Sequence, residues 1–292
     1  MKIGVLLYTY NRVDDARINL EIIRNVWKKN PLLRDVAVVH AFNGKKEWWP
    51  KKYLEDELLY LKNPGYFRGA EILLNEGTDV FLKKYPHVDY VVTLAADTWC
   101  VNPEYLEKVI GKMHREEQYL AVCAWGNKKE TDMFKIGMSL DFNIVDLRWA
   151  KRARLFPLKY KEFVDRYAEL FTYRDEGIFL ERVFAMRFRQ AIERSVKIPS
   201  ENLAAKITRE YIYHMIEREP VHSGWTRKMY WPKMGLITHH DPEPKRKILR
   251  QWKLKLGDYG NKLLGAKSLN YYNMGLVKTM YKKGKKNVGY GD

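Results

Sequence analysis

A single carboxylate, Asp97, follows the most strand-like stretch of the sequence. Residues 90–99 read Tyr-Val-Val-Thr-Leu-Ala-Ala-Asp-Thr-Trp, an apolar run rich in β-branched residues that predicts a buried strand. A helix start follows, with Asn102 as the N-cap and Pro103 at the first helical position. Ligands bind at the carboxyl ends of strands in open α/β sheets. Asp97 is therefore placed either to contact a ligand or to cap a turn, as a lone aspartate commonly does.

The elements that must position Asp97 alternate between strands and helices. Apolar runs predict strands at residues 3–8, 36–40, 90–99 and 120–125. Amphipathic spacing predicts helices at residues 14–28, at residues 69–85 and from residue 102 onward. This alternation predicts the α/β class, with a mostly parallel central sheet and helices on both of its faces.

After residue 126 the pattern becomes looser. The predicted elements are an edge strand at 141–146, helices at 163–170 and 177–195, and a late strand at 235–239. From residue 245 onward the sequence predicts basic amphipathic helices with a frayed terminus. We expect one large domain, residues 1–244, followed by a basic helical extension, residues 245–292.

The charge of the sequence is concentrated in this extension. The formal net charge is +17, from 53 basic and 36 acidic residues. From Lys245 onward there are 13 lysines and arginines against Asp258 and Asp292, which leaves +11. Such a segment suits a polyanion, whether nucleic acid, an anionic membrane surface or an acidic glycan. The alternative is a solvated face that keeps the protein soluble.

Composition limits the remaining classes. The chain has 292 residues, 46% of them hydrophobic, which predicts a folded globular protein with an ample core. Its two cysteines, Cys100 and Cys123, form neither a disulfide framework nor a zinc set, and this favours a reducing compartment. No apolar run approaches the roughly 18 residues that a membrane span needs. We expect a cytoplasmic protein that is at most peripheral at a membrane.

Five short motifs occur in the order and spacing of one enzyme family. They are Thr9-Tyr10-Asn11-Arg12, the stretch from Asn63 to Gly77, Leu94 to Thr98, Asp175-Glu176 with Arg182, and His239-His240. Together they resemble the GT-A fold glycosyltransferases of the family-2-like group, which transfer a sugar from a nucleotide to an acceptor. The resemblance covers residues 1–244 and implies a GT-A type, Rossmann-like sheet.

The resemblance implies a nucleotide-sugar site at the carboxyl edge of this sheet. The residues implied to contact the nucleotide are Thr9, Tyr10, Asn11, Arg12, Asn43, Arg68, Gly69 and Asn75. The second-strand element, commonly DNGS in the family, reads Ala41-Phe42-Asn43-Gly44 here. The aspartate that would bind the base is missing, so the nucleotide stays open, with a UDP-sugar as the expected donor.

A divalent cation, Mn²⁺ or Mg²⁺, is the cofactor that the resemblance implies. Asp97 and either His239 or His240 are the implied ligands, and oxygen donors with one imidazole suit these ions. The metal would neutralise the charge that builds on the leaving diphosphate, and Arg68 could add to it. Ala95 stands where the family places its first metal-motif carboxylate. The alternative for the histidine pair is a capped strand end.

The acceptor side is implied by the second half of the chain. Glu176 is the expected base, because Arg182 follows six residues later as in the family motif, and Asp175 is the fallback. Either residue implies inversion at the anomeric carbon, although both are also ordinary first-turn helix residues. Trp225 and Trp231, in a basic aromatic stretch, could stack on the acceptor or pack within a loop.

The sequence leaves several acceptors and classes open. A glycan or a lipid-linked glycan is expected, with the basic extension on anionic lipid headgroups. The alternative is DNA with hydroxymethylated bases, with the extension along the phosphates. A non-catalytic module that binds a nucleotide-sugar or a polyanion is a candidate of another class, because Ala95 replaces a carboxylate. A nucleotidyltransferase is weaker, because no Gly-rich basic loop follows the first strand.

Overall fold

The strands and helices of the protein were located in a computed structural model that describes residues 1–124, 138–167, 180–196, 203–215, 229–231, 235–238, 249–250, 253 and 256–264. The strands are β1 (Ile3–Thr9), β2 (Ala37–Phe42), β3 (Glu57–Tyr60), β4 (Tyr90–Ala95), β5 (Thr98–Cys100), β6 (Leu120–Ala124), β7 (Met138–Asp146), β8 (Ile212–His214), β9 (Met229–Trp231) and β10 (Leu236–Thr238). The helices are α1 (Val13–Asn25), α2 (Tyr66–Lys84), α3 (Pro103–Arg115), α4 (Leu147–Arg152), α5 (Tyr160–Tyr167), α6 (Leu180–Ser195), α7 (Leu203–Tyr211) and α8 (Asp258–Leu264).

A mostly parallel sheet forms the centre of the described residues. Its seven strands have the order β3-β2-β1-β4-β7-β6-β8, and only β7 runs against the others. A second, antiparallel sheet has the order β5-β10-β9. The prediction of an α/β fold with a mostly parallel sheet is confirmed.

Two sequence-based boundaries were wrong. The strand predicted at residues 90–99 ends at Ala95, and the chain turns before β5 begins in the second sheet. The segment predicted as an edge strand lies instead between β4 and β6. Every residue from Met138 to Val145 is buried. Polar groups of this strand bond internally, as when Asn143 Nδ2 donates a hydrogen bond to Ser139 O at 3.4 Å.

The apolar core covers both faces of the large sheet. In β1, Val5 and Leu7 belong to the cluster on the α1 and α3 face, whereas Leu6 belongs to the cluster on the α2 and α6 face. This period-two division is what a strand covered on both sides requires. On the second face, Phe81 and Phe184 are almost fully buried. Each such side chain contributes on the order of 1.5–3 kcal/mol to folding.

The beginning of the C-terminal extension packs against this core. Leu249, Leu256 and Leu263 are buried in the cluster on the α1 and α3 face. In α8, Lys262 Nζ lies 2.8 Å from Glu21 Oε2 of α1. The described residues after position 244 therefore pack against the core of the large sheet. In the part of the chain that the structure describes, no helix combines the length and the apolar character needed to cross a bilayer.

Replacement of Gly77 in α2 with alanine should destabilise the protein. A Cβ atom at Gly77 would lie 2.2 Å from Leu6 Cδ1, and the Leu6 side chain is fully buried. Overpacking typically costs about 1–3 kcal/mol, against the roughly 1 kcal/mol that alanine gains over glycine in a helix. We expect a lower melting temperature by circular dichroism.

Gly111→Ala in α3 is the matched control for this substitution. A Cβ atom there would meet only Arg115 Nη1, at 3.4 Å. The helix-propensity gain is then unopposed, so the melting temperature should rise. A rise in both variants would contradict the close packing of α2 on β1.

Candidate functional site

The carboxyl ends of three neighbouring strands meet at one edge of the large sheet. Tyr8 of β1 is paired with Ala41 of β2 and with Ala95 of β4. Just beyond these pairs, Asn43 N donates to Thr9 O at 3.1 Å, and Ala96 N donates to Tyr8 O at 3.0 Å. The parallel register therefore brings residues 9, 43 and 96 together, and we call this region the carboxyl edge.

Asn43 connects the carboxyl edge to the beginning of α2. The Asn43 side chain is 5% exposed and its Nδ2 atom donates to Gly69 O at 3.1 Å. Within the described residues its Oδ1 atom is buried and accepts no hydrogen bond. A side chain at Gly69 would collide with Asn63 Oδ1, 2.4 Å from the Cβ position. Since an unsatisfied buried acceptor costs about 1–3 kcal/mol, Asn43 is suited to receive a hydrogen bond from a ligand.

Helix α1 shapes the turn that carries Asp97. Asn19 Nδ2 donates to Thr98 O at 2.7 Å and to Ala95 O at 3.3 Å, on both sides of the turn. Trp99 Nε1 donates to Asp15 O at 3.2 Å. These bonds hold Asp97 at the carboxyl edge with only 9% of its surface exposed.

Arg12 brings positive charge to this carboxylate. Its Nε atom lies 3.9 Å from Asp97 Oδ2, and its Nη1 atom lies 3.1 Å from Asp15 Oδ2. Arg12 directly precedes α1, so its guanidinium is held at the same edge as Asp97. Since these groups are largely shielded from solvent, their charges act more strongly than on an open surface.

A second carboxylate, Asp141, was missed by the sequence analysis. It precedes Phe142, the partner of Leu94 in β4, and its Oδ1 atom accepts a hydrogen bond from Tyr8 OH at 3.4 Å. The sequence signal was an aspartate between the apolar residues Leu140 and Phe142. Within the described residues, no three histidine, cysteine, aspartate or glutamate side chains form a metal site. The carboxylates Asp97 and Asp141 fit Mg²⁺ or Mn²⁺ only if a diphosphate supplies further oxygens.

An aromatic pair lies at the outer end of the carboxyl edge. Tyr10 and Trp48 are exposed, and their ring centres are 6.4 Å apart at an interplanar angle of 61°. Lys45 Nζ lies 5.6 Å from the Trp48 ring centre. Trp48 was also missed by the sequence analysis, because its proximity to Tyr10 depends on the pairing of β1 with β2. The pair offers aromatic surface beside the polar groups of the edge.

The other predicted donor-side residues lie at different places. Asn11 is half-buried between β1 and α1, and Arg68 is exposed in the first turn of α2. Asn75 is located farther along α2, where its Oδ1 atom accepts a hydrogen bond from Leu158 N at 2.9 Å. That contact supports the segment before α5 and not the carboxyl edge. The assignment of Asn75 to the nucleotide stays a prediction.

Most of the residues predicted for the acceptor side, and both predicted histidine ligands, lie outside the residues that the structure describes. Arg182 is half-buried in the first turn of α6, and Trp231 lies in β9. Five predicted residues lie outside the described residues: Asp175, Glu176, Trp225, His239 and His240. Their roles therefore stay predictions.

Comparisons with known proteins were made by sequence and by structure. No protein-family model and no curated protein sequence matches the chain. It is similar in structure to the galactosyltransferase LgtC in complex with donor and acceptor sugar analogues (11% identity, 77% of this chain, 90% of that chain, TM-score 0.39). It is also similar to the glycosyltransferase GlyE of Streptococcus pneumoniae TIGR4 (12% identity, 74% of this chain, 45% of that chain, TM-score 0.40). A third similar structure is mouse xyloside xylosyltransferase 1 in its apo form (8% identity, 65% of this chain, 82% of that chain, TM-score 0.37). Because these similarities are too low to carry a function across, the residues of the carboxyl edge must support any assignment.

Asn19→Ala should destabilise the protein and loosen the turn at Asp97. The substitution leaves the buried carbonyls of Ala95 and Thr98 without this donor. An unsatisfied buried group costs about 1–3 kcal/mol, so the urea midpoint of unfolding should fall. Asn25→Ala in the same helix removes a half-buried amide that donates to Glu21 O and is the control, with a smaller effect expected. Equal midpoints for the two variants would contradict the role of Asn19.

Proposed function

We propose that this protein is a glycosyltransferase that transfers a sugar from a nucleotide-sugar donor to an acceptor hydroxyl. The observation that supports this most is the arrangement of three polar groups at the carboxyl edge. A nearly buried carboxylate, Asp97, lies beside the guanidinium of Arg12. The buried amide oxygen of Asn43 lies at the same edge without a hydrogen bond among the described residues. The diphosphate of a nucleotide-sugar can bind Arg12 directly and Asp97 through a metal ion. Its nucleoside carries hydroxyl or N–H donors for the Asn43 amide oxygen.

The diphosphate is the part of the donor that needs positive charge from the site. As the nucleoside diphosphate leaves, negative charge builds on its bridging oxygen, and a bound Mn²⁺ or Mg²⁺ would neutralise part of that charge. Asp97 would hold the metal, with Asp141 nearby and His239 or His240 as a further ligand. Arg12 and Arg68 supply permanent positive charge that a diphosphate can bind bidentately.

The nucleoside is assigned to the outer part of the carboxyl edge. Tyr10 and Trp48 provide exposed rings on which a base can stack. The Asn43 Oδ1 atom accepts a hydrogen bond from the nucleoside. Because Gly69 has no side chain, the beginning of α2 can lie close to Asn43. A UDP-sugar is the expected donor.

The acceptor side of the proposal rests on the family resemblance. Glu176 is assigned as the base that removes the acceptor proton, with Asp175 as the alternative, and the reaction then inverts the anomeric carbon. Arg182, Trp225 and Trp231 are assigned to the acceptor. A glycan or lipid-linked glycan is the proposed acceptor, and hydroxymethylated DNA is the alternative. Labelled sugar appearing on one acceptor and not on the other decides between them.

Asp97→Asn should abolish metal-dependent binding of a nucleotide. UDP with Mn²⁺ should raise the melting temperature of the unaltered protein by mass action, whereas Mn²⁺ alone should not, because the described carboxylates do not complete a metal site. Asp79→Asn is the matched control, since Asp79 is a half-buried residue of α2 paired with Lys83. Equal stabilisation of Asp97→Asn and Asp79→Asn by UDP with Mn²⁺ would show that Asp97 does not bind the metal.

Glu176→Gln should separate binding from turnover. We expect UDP binding to persist while sugar transfer falls by about 10²–10⁴-fold, the usual contribution of a general base. Asp175→Asn should have a much smaller effect, and the opposite result would move the base to Asp175. If the unaltered protein binds the donor but neither transfers nor hydrolyses the sugar, the non-catalytic binding module is the correct class.

A further inference from the structure

A buried histidine lies directly behind the carboxyl edge. His40 in β2 has no exposed surface, and its Nε2 atom lies 3.0 Å from Thr9 Oγ1 at the end of β1. Leu7 pairs with His40, and Thr9 pairs with Phe42. Thr9 and His40 therefore project from the same face of the sheet, two positions apart.

Glu55 lies on the other side of the imidazole. Its Oε1 atom is 3.8 Å from His40 Nδ1 and accepts a hydrogen bond from Trp49 Nε1 at 2.9 Å. Its Oε2 atom accepts hydrogen bonds from the backbone N–H groups of Tyr53 and Leu54, both at 3.0 Å. Burial alone would raise the pKa of Glu55, but His40, a backbone N–H group and Trp49 together lower it to about 2. Glu55 is therefore ionised at neutral pH.

The surroundings of His40 determine where its proton lies. Burial lowers the pKa of His40, which favours the neutral ring, although Glu55 favours the charged form. The ionised Glu55, 3.8 Å from Nδ1, favours the ring proton on Nδ1, which makes no hydrogen bond among the described residues. This tautomer leaves Nε2 as an acceptor for the Thr9 hydroxyl. The Trp49 ring is 4.5 Å from the His40 ring, and the Arg17 guanidinium lies 5.4 Å from Trp49.

Thr9 transmits this anchoring to the carboxyl edge. The Thr9 carbonyl accepts the Asn43 N–H at 3.1 Å, and Asn43 in turn binds Gly69 O at the beginning of α2. Tyr10 directly follows Thr9 in the chain. The hydrogen bond between His40 and Thr9 therefore restrains Thr9, which is connected to both groups assigned to the nucleoside, Asn43 and Tyr10.

We propose that His40, oriented by Glu55, is a positioning residue of the donor site that fixes Thr9 and thereby Asn43 and Tyr10. This role rests on the proposed function, because it requires a nucleotide at the carboxyl edge. His40 contacts no ligand in this arrangement and acts through Thr9. The hydroxyl of Thr9 is then needed for affinity, and its volume alone does not suffice.

The test compares binding of UDP with Mn²⁺ by calorimetry in matched variants. Thr9→Val keeps the volume but removes the hydroxyl, and we expect about tenfold weaker binding, the effect of losing one hydrogen bond. Thr9→Ser retains the hydroxyl and should restore near-parental affinity. Thr93→Val in β4 replaces another buried threonine and is the control for a general loss of packing. It should leave the affinity unchanged, and melting curves verify that all three variants fold.

The spectroscopic arm uses ¹⁵N-labelled histidine. The His40 ring should show a protonated Nδ1 and an unprotonated Nε2 atom in the free protein, and the Nε2 resonance should move in Thr9→Val. A protonated Nε2 would overturn the proposal whether or not a nucleotide binds.

The two proposals fail in different ways. Equal affinity of Thr9→Val and Thr9→Ser, in a parent that binds UDP with Mn²⁺, would overturn the role of His40 alone. An equally large loss for Thr93→Val would also overturn it, because the effect would then be general packing. Absence of UDP binding by the unaltered protein would overturn the proposed function and the positioning role together.

Discussion

The amide of Asn19 is the contact on which the candidate site depends most. It donates to Ala95 O at the end of β4 and to Thr98 O at the beginning of β5. Because β4 belongs to the large sheet and β5 to the small one, a single side chain of α1 joins both sheets at the turn. Without this donor, the two buried carbonyls would lose this hydrogen bond on the α1 side. The chain leaves the large sheet at Ala96, and Asp97 is presented at its edge and not buried within a longer strand.

The carboxyl edge keeps polar groups that a purely structural region would have satisfied or replaced. The Asn43 Oδ1 atom is buried without a hydrogen bond among the described residues, and Asp97 is almost buried as a charged group. Both cost stability, and such costs are typical of sites organised for a ligand. The groups are also fixed in advance by strands and by α1. Preorganised dipoles and charges of this kind stabilise developing charge without rearranging during a reaction.

Local patterns predicted many of the elements but not β3, α7, β8 or β9, and they could not predict which distant segments pair. The helix start at Asn102 was predicted from residue type alone, and Asn102 Oδ1 accepts a hydrogen bond from Tyr105 N at 3.3 Å. The predicted position of β7 at the sheet edge was wrong, because the neighbours of a strand depend on contacts between segments that are distant in sequence. For the same reason Asp141 and Trp48 were not recognised. His40 had no visible partner in the sequence, since Thr9 and Glu55 lie on different elements.

The small sheet has a consequence for the order in which the protein folds. β1, β2 and β4 are linked by successive α/β connections and can form early, because their contacts are comparatively local. β5 follows β4 directly but pairs with β10, which comes from near the other end of the chain. Closing so long a loop costs entropy that only late contacts repay. The small sheet beside the Asp97 turn is therefore complete only when residues 236–238 have paired with β5, whereas β1, β2 and β4 can pair without them.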